Sequence, residues 1–347
     1  NSDYNIKNDN NIDVNNFKEA TFGEALKFVS TKSVIITGMV KDAEESILTL
    51  LLQLEKFVCD FKSYDFLILE NNSKDNTTLL LHVWSKRPIH CDKYSILRGQ
   101  SEIKFKSPKI SDIIKDDVTD ITHKYFMHFD DNNDPAPKNL AREDRFVFYR
   151  NWMLNYMKQE LYIKKSRNYD YWISIDFDIQ SIDRKSIINE LFVGKSIFNG
   201  DVICSNGMDW TGRYRDSFAT VFDNGKWCFD NHFECHKMIK KRFTNVQSCF
   251  GGFTIYNFTH VFNSECNYIK TNELRTKNII SYNWRQKQQK KWINNFAMCE
   301  HIPFHHCLTN KMNTKLLIAK YSWVYYGFMK YENWTIEPYL LGKHRRF

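Results

Sequence analysis

Two carboxylates one residue apart, Asp176-Phe177-Asp178, close the apolar run Tyr171-Trp172-Ile173-Ser174-Ile175. Mg²⁺ and Mn²⁺ take oxygen ligands, commonly one or two carboxylates completed by phosphates and waters. Ligands of open α/β sheets bind outside the carboxyl ends of the strands. A buried strand ending in two acids is therefore a candidate place for a cation that neutralises a diphosphate. By itself the triplet is short, and a solvated turn carries the same residues.

Four further groups have residue types suited to chemistry. Glu70-Asn71-Asn72-Ser73-Lys74-Asp75 follows the apolar run Phe66-Leu67-Ile68-Leu69. Polar side chains there can hold a base or ribose, and equally Asn72 or Ser73 can cap the next helix with Asp75 in its first turn. Arg142, Arg145 and Arg150 fall near one face of a helical stretch, and guanidinium groups suit phosphate; a solvated basic face reads the same way. Gly251-Gly252 lies between Phe250 and Phe253, and paired glycines let backbone approach a ligand closely or simply turn. Cys299-Glu300-His301-Ile302-Pro303-Phe304-His305-His306 puts one Glu and three His close together. A histidine here can complete a metal sphere begun by the Asp pair, and Glu300 can act as base. Pro303 disfavours an uninterrupted helix from His301 to His305.

These groups need elements to position them. Val34-Ile35-Ile36 reads as a short buried strand entering a loop at Thr37-Gly38, and Phe66 to Leu69 as a second strand. Ile47, Leu50, Leu51, Leu54 and Val58 recur at helical spacing over 44–58. A second helix follows through about Trp84, and Tyr94 to Leu97 reads as a third strand. Residues 101–137 read as irregular, with a loop at 130–135, and 139–162 as one long helix. Tyr171 to Ile175 and Asp201 to Cys204 are further strands. Alternation of this kind predicts parallel βαβ units, a doubly wound Rossmann-like mixed sheet flanked by helices. Residues 1–30 read as a polar arm, and 31–347 as one domain. Its first half, about 31–200, is the nucleotide-binding half; its aromatic-rich second half, about 201–347, is the acceptor lobe.

Composition bounds the alternatives. With 42% hydrophobic residues the 347-residue chain can bury a large core, and 12 Gly and 6 Pro exclude collagen-like and Pro-rich classes. A net charge of +8 suits an anionic ligand. Nine cysteines occur without a CxxC pair, which argues against a zinc ribbon. A chain of this length needs no staples, so a reducing compartment with at most one or two disulfides is the simpler expectation. No run approaches the roughly 18 apolar residues of a membrane span.

The order of these groups resembles a known family. The runs Ile36-Thr37-Gly38-Met39-Val40-Lys41-Asp42 and Glu70 to Thr77 resemble the opening of nucleotide-sugar glycosyltransferases of the GT-A type. Arg142 to Asn151 before Tyr171 to Asp178, then Tyr214-Arg215-Asp216, Gly251-Gly252 and Cys299-Glu300-His301, resemble the fungal capsule-associated α-mannosyltransferases. The likeness spans about residues 33–310. It implies that Asp176 and Asp178 bind Mn²⁺ (or Mg²⁺) and the diphosphate. His301 would be the third metal ligand, ahead of His305 and His306. Thr37, Gly38, Lys41, Glu70, Asn71, Asp75, Arg142, Arg145, Arg150, Gly251 and Gly252 would line the donor. The segment Asp209 to Arg213 followed by Ser217-Phe218-Ala219 matches only loosely, leaving mannose and the acceptor open.

The expected activity is metal-dependent transfer of a sugar from a nucleoside-diphosphate sugar (GDP-mannose or a UDP-sugar) to a glycan or other hydroxyl acceptor, with no nucleic-acid partner. An inverting reaction needs a carboxylate base, and Asp216 and Glu300 are the candidates; a retaining one can do without. Trp210, Tyr214 and Trp227 could stack on sugar faces, or serve the core. One rival is a metal-dependent nucleotidyltransferase or hydrolase of nucleotide-sugars, although no glycine-rich phosphate loop is present. Another is a non-catalytic carbohydrate- or nucleic-acid-binding module, which leaves the paired acids unexplained. Oligomeric state stays open, and cytoplasm and secretory lumen are both compatible with the sequence.

Overall fold

The computed structural model describes residues 21–92, 123–130, 132–137, 140, 142–209, 214–228, 232–270 and 299–326. Ten strands form one mixed sheet. They are β1 (Ser33–Val40), β2 (Ser63–Asn71), β3 (Lys124–Phe129), β4 (Tyr171–Asp176), β5 (Ile179–Ile182), β6 (Val202–Met208), β7 (Val221–Phe222), β8 (Phe243–Ser248), β9 (Phe253–Asn257) and β10 (Leu316–Tyr326). The order is β3-β2-β1-β4-β9-β6-β10-β8-β7, with β5 pairing on the far half of β10. The strands from β3 through β4 are mutually parallel, while β9 enters antiparallel between β4 and β6.

Side-chain alternation sorts the strand residues onto two faces. Val34, Ile36, Phe66, Ile68, Ile173 and Ile175 face α1 (Phe22–Val29), α2 (Glu44–Val58), α3 (Thr77–Ser85) and α5 (Arg184–Ser196). Ile35, Leu67, Leu69, Trp172 and Cys204 face α4 (Arg142–Tyr156), α6 (His232–Met238), α7 (Phe258–Ser264) and α8 (His301–Met312). Covering both faces is why the central strands read as continuous apolar runs rather than alternating ones. This is the expected mixed α/β sheet flanked by helices. Among the described residues no helix is long and apolar enough to cross a membrane.

Several local expectations are corrected. β1 does not end at Ile36 but runs to Val40, because Thr37 and Gly38 are paired on both sides, to β2 and to β4. β3 lies inside the stretch read as irregular, and the expected strand at 94–97 falls outside the described residues. Within the polar arm, α1 opens with a reciprocal capping box between Thr21 and Glu24 and buries Ala25 and Val29. Neither Asn72 nor Ser73 caps α3, which begins at Thr77. The long helix continues from α4 as a π-helical stretch, Met157–Lys164, where Lys165 N donates to Glu160 O at 3.2 Å. Pro303 does not interrupt α8; it stands in the first turn, where the missing N–H had no intrahelical partner.

The cysteine expectation is also overturned. Four disulfides join Cys59–Cys91, Cys204–Cys249, Cys228–Cys235 and Cys266–Cys307, leaving buried Cys299 free. Three of them join residues 32, 45 and 41 positions apart, so no local motif announced them. Four disulfides fit an oxidising environment, not a reducing one.

Candidate functional site

The expected acids meet at the C-terminal end of β4 around one buried cation. Arg150, on α4, is 3% exposed. Its Nε donates to Glu300 Oε1 at 2.6 Å, one terminal nitrogen donates to Ser174 Oγ at 3.1 Å, and the other reaches Asp176 Oδ1 at 3.4 Å. The guanidinium also lies 4.9 Å from the Phe250 ring centroid. Burial alone would weaken its charge, but Glu300, with Tyr268 and Asp176, outweighs burial and keeps it protonated.

Asp176 is the last residue of β4, and its backbone N–H donates to Gly252 O at 2.9 Å. Burial of the site, then the neighbouring Asp178 charge, hold the Asp176 carboxyl well above the usual range. Asp178 is exposed. The surrounding protein raises it too, against the opposing pull of Arg215 and Arg142. Both of those arginines are exposed. Arg215 stood in the sequence beside Asp216 without a separate role assigned; only the fold puts its charge next to Asp178.

Gly251 and Gly252 form the turn between β8 and β9 with φ of 66° and 73°. A Cβ on Gly251 would stand 1.9 Å from Ser205 O, so the close approach these glycines permit is to the protein's own backbone. Gly251 N donates to Asp216 Oδ2 at 2.6 Å. Asp216 is pushed up to about 6, mainly by burial and partly by Glu300, against that backbone donor. The glycine turn thus holds Asp216 and Asp176 at once.

The first two strand ends are braced mainly by internal bonds. Thr37 is buried and its Oγ1 accepts from Trp172 Nε1 at 2.8 Å. Gly38 leaves room for Phe177, whose ring carbon would stand 2.3 Å from a Cβ there. Lys41 is exposed just beyond β1. Glu70, fully buried, accepts from Ser73 N at 2.6 Å and pairs with His128. Asn71 Nδ2 donates to Tyr149 Oη at 2.5 Å. Asp75 takes the Glu44 and Thr77 N–H groups, each at 3.0 Å. Although burial opposes it, these donors hold its carboxyl below the usual range. One side chain thereby serves the starts of both α2 and α3. Arg142, Arg145 and Arg150 do not form one face. Arg145 turns to Asp134 at 2.7 Å and to Tyr149 Oη at 2.9 Å.

The three histidines differ sharply. His305 is fully buried and bonded to Ser248 Oγ at 3.1 Å and Tyr256 Oη at 2.9 Å. Burial, with Arg150 nearby, lowers it to about 3. His306 faces outward beside Asn310. His301 is stacked on Phe250 at 4.0 Å, and its Nε2 lies 3.7 Å from Glu300 Oε1. Both its ring nitrogens are buried without a hydrogen-bond partner. Burial, then Arg150, keep it neutral, the form that can ligate a metal. Among the described residues no three His, Cys, Asp or Glu side chains converge as a ready-made metal cage. The oxygen donors of Asp176 and Asp178, and the orphaned nitrogens of His301, are the groups whose chemistry fits a divalent cation. Of the candidate aromatics, Tyr214 is buried and bonded to Thr220, Trp227 donates to Phe218 O, and Trp210 lies outside the described residues.

No protein-family model matches this sequence, and no curated protein matches it. Structural similarity is found to S. aureus TarS 1-349, at 12% identity and a TM-score of 0.41, covering 85% of this chain and 60% of that one. The same fragment in complex with UDP-GlcNAc gives 13% and 0.41, with coverage of 87% and 60%. Glucosyl-3-phosphoglycerate synthase from Mycobacterium tuberculosis, in complex with Mg²⁺ and UDP, gives 8% and 0.40, with coverage of 90% and 78%. The chain thus spans about 60% of the length of the TarS fragment. Similarity at this level leaves the meaning of the site to its own residues.

Proposed function

We propose that this chain is a glycosyltransferase of the GT-A type that moves a sugar from a nucleoside-diphosphate sugar to a hydroxyl acceptor. The observation that carries the reading is the gathering of Asp176, Asp216 and Glu300 around buried Arg150 at one strand end, with Asp178 next to Asp176 and Arg142 and Arg215 beside Asp178. Four carboxylates against buried Arg150 and the two exposed arginines still leave an excess of negative charge that a divalent ion would offset. Asp176 and Asp178 would hold Mn²⁺ or Mg²⁺, with His301 the candidate nitrogen ligand. When bound, the ion supplies charge neutralisation for the departing diphosphate.

The chain's own residues supply the rest. Arg142 and Arg215 are exposed on the Asp178 side and suit the anionic phosphates. Asp216 and Glu300 remain the candidate bases for the acceptor hydroxyl. Of the two, Glu300 is buried against Arg150 at 2.6 Å whereas Asp216 is only half-buried, which favours Asp216. The strand ends at Glu70, Asn71 and Asp75 would lie around the nucleoside, and GDP-mannose and UDP-sugars are the donors to try.

Thermal stability with UDP, GDP, CDP and ADP, with and without Mn²⁺, tests the reading on wild type and Asp178→Ala. One nucleotide should stabilise the wild type only with metal, by about 2.7 kcal/mol at a hundredfold excess over its Kd. The variant should lose that response. No metal-dependent shift with any nucleotide would remove the reading. Release of nucleoside monophosphate in place of sugar transfer would favour the hydrolase alternative.

A further inference from the structure

Tyr326 closes the acidic strand end from the β10 side. It is the last residue of β10 and 7% exposed. Two glycines make its place. A Cβ on Gly252 would stand 2.0 Å from the Tyr326 hydroxyl oxygen, and one on Gly207 would stand 2.9 Å from its ring Cε2. The Arg215 guanidinium lies 5.1 Å from the ring centroid. Ile179, directly after Asp178, pairs with Tyr326 across β5 and β10. Strand pairing, two missing side chains and a cation therefore fix where the ring lies.

The hydroxyl is surrounded by acid. Burial first, then the charges of Asp176, Asp178 and Asp216, make its ionisation much harder than that of an ordinary phenol. As a phenol it is a hydrogen-bond donor at neutral pH. Among the described residues no hydrogen bond from it to the protein is found, and its oxygen is not closed off from solvent, so the donor is open to a ligand. A donor already fixed in place by strand pairing needs no reordering to meet a ligand oxygen.

We infer that Tyr326 donates a hydrogen bond to the diphosphate oxygen that leaves the sugar, which makes it a further catalytic residue; this rests on the glycosyl-transfer reading. In that transfer the bond between the anomeric carbon and the phosphate oxygen breaks, and its electron pair stays on the oxygen. The acceptor oxygen bonds to the carbon, and its proton passes to a carboxylate or to the departing phosphate. Tyr326 gives up no proton. Its bond strengthens as charge builds on the leaving oxygen, so it acts more on the transition state than on ground-state binding.

Tyr326→Phe keeps the ring in its slot and removes only the hydroxyl. Wild type and variant are assayed with Mn²⁺ and UDP-glucose, UDP-N-acetylglucosamine or GDP-mannose for sugar transfer and donor hydrolysis, and their Tm is compared. We expect kcat to fall roughly 10- to 100-fold while KM for the donor and Tm stay close to wild type. Full kcat in the variant overturns the assignment alone, provided the wild type is active. A loss of rate that tracks a matching loss of Tm also overturns it, since that marks a structural role. A wild type inert towards every nucleotide-sugar removes the glycosyl-transfer reading, and the assignment of Tyr326 with it.

Discussion

At the scale of single residues, Arg150 is the hub on which the site's electrostatics turn. It is a buried cation satisfied by Glu300, Ser174 and Asp176. Removing one partner of a buried ion pair strands the other without water. Arg150→Ala should therefore cost roughly 3–5 kcal/mol in chemical denaturation. Glu300→Gln, which keeps an acceptor for the guanidinium, should cost distinctly less. A second residue-scale expectation concerns acid. His305 titrates near 3 in the fold and near 6.5 unfolded. Between those values only the unfolded chain binds the proton, so stability is lost as pH falls below about 6.5. Asp216, raised to about 6, works in the opposite direction between about 3.9 and 6. The His305 contribution is isolated by comparison. The difference in unfolding free energy between wild type and His305→Gln should shrink as pH drops from 7 to 5. A constant difference would show that His305 does not titrate as argued. In the sequence, the acids, Arg150 and the late Glu-His cluster were legible because their types are rare in apolar neighbourhoods. Tyr326 was not, because one of 18 tyrosines in an apolar strand carries no local mark of the three carboxylates it faces.

At the scale of elements, turns and strand ends decide where the acids stand. The Gly251-Gly252 turn serves three partners at once: Asp216, Asp176 and the Tyr326 ring. Gly251→Ala would place a methyl inside the contact radius of Ser205 O at a φ that side chains avoid. Strain of that kind costs about 1–3 kcal/mol before any clash is counted. The variant should melt lower and lose metal-dependent nucleotide binding, whereas alanine at half-buried Gly225, which is also at positive φ (74°) but has nothing within 4 Å of the added Cβ, should pay only the backbone strain and keep binding. The helices were legible where spacing was clear: α2 occupies 44–58, the span its apolar period marks. α1 carried its own signature too, a Thr21-x-x-Glu24 box ahead of Phe22, Ala25, Leu26 and Val29, hidden by the polar composition around it. The start of α3 was misplaced because Asp75 caps from outside the helix, and its second partner, Glu44, is 31 residues away.

At the scale of the molecule, the sheet and the disulfides join distant stretches into one site. Cys204–Cys249 ties β6 to the residue two before Gly251, and Cys266–Cys307 ties the end of α7 to α8. Closing loops of this length is worth roughly 2–4 kcal/mol each in the chain-entropy picture. Reduction under native conditions should lower Tm and weaken nucleotide binding together. Alkylation of the denatured chain should label one cysteine before reduction and nine after; nine before reduction would refute the pairing.

The amino-acid order by itself determined the periodic elements, the α/β class and the identity of the acids at the end of β4, because those depend on spacing within a few residues. Tertiary structure alone decided which late histidine lies beside Glu300 with unpaired ring nitrogens, which arginine is buried among the acids, how the cysteines pair and what Tyr326 touches. Apart from the disulfides, those outcomes depend on β9 and β10 inserting between earlier strands. That pairing brings residues more than a hundred positions apart into contact, and it is settled by packing across the whole sheet.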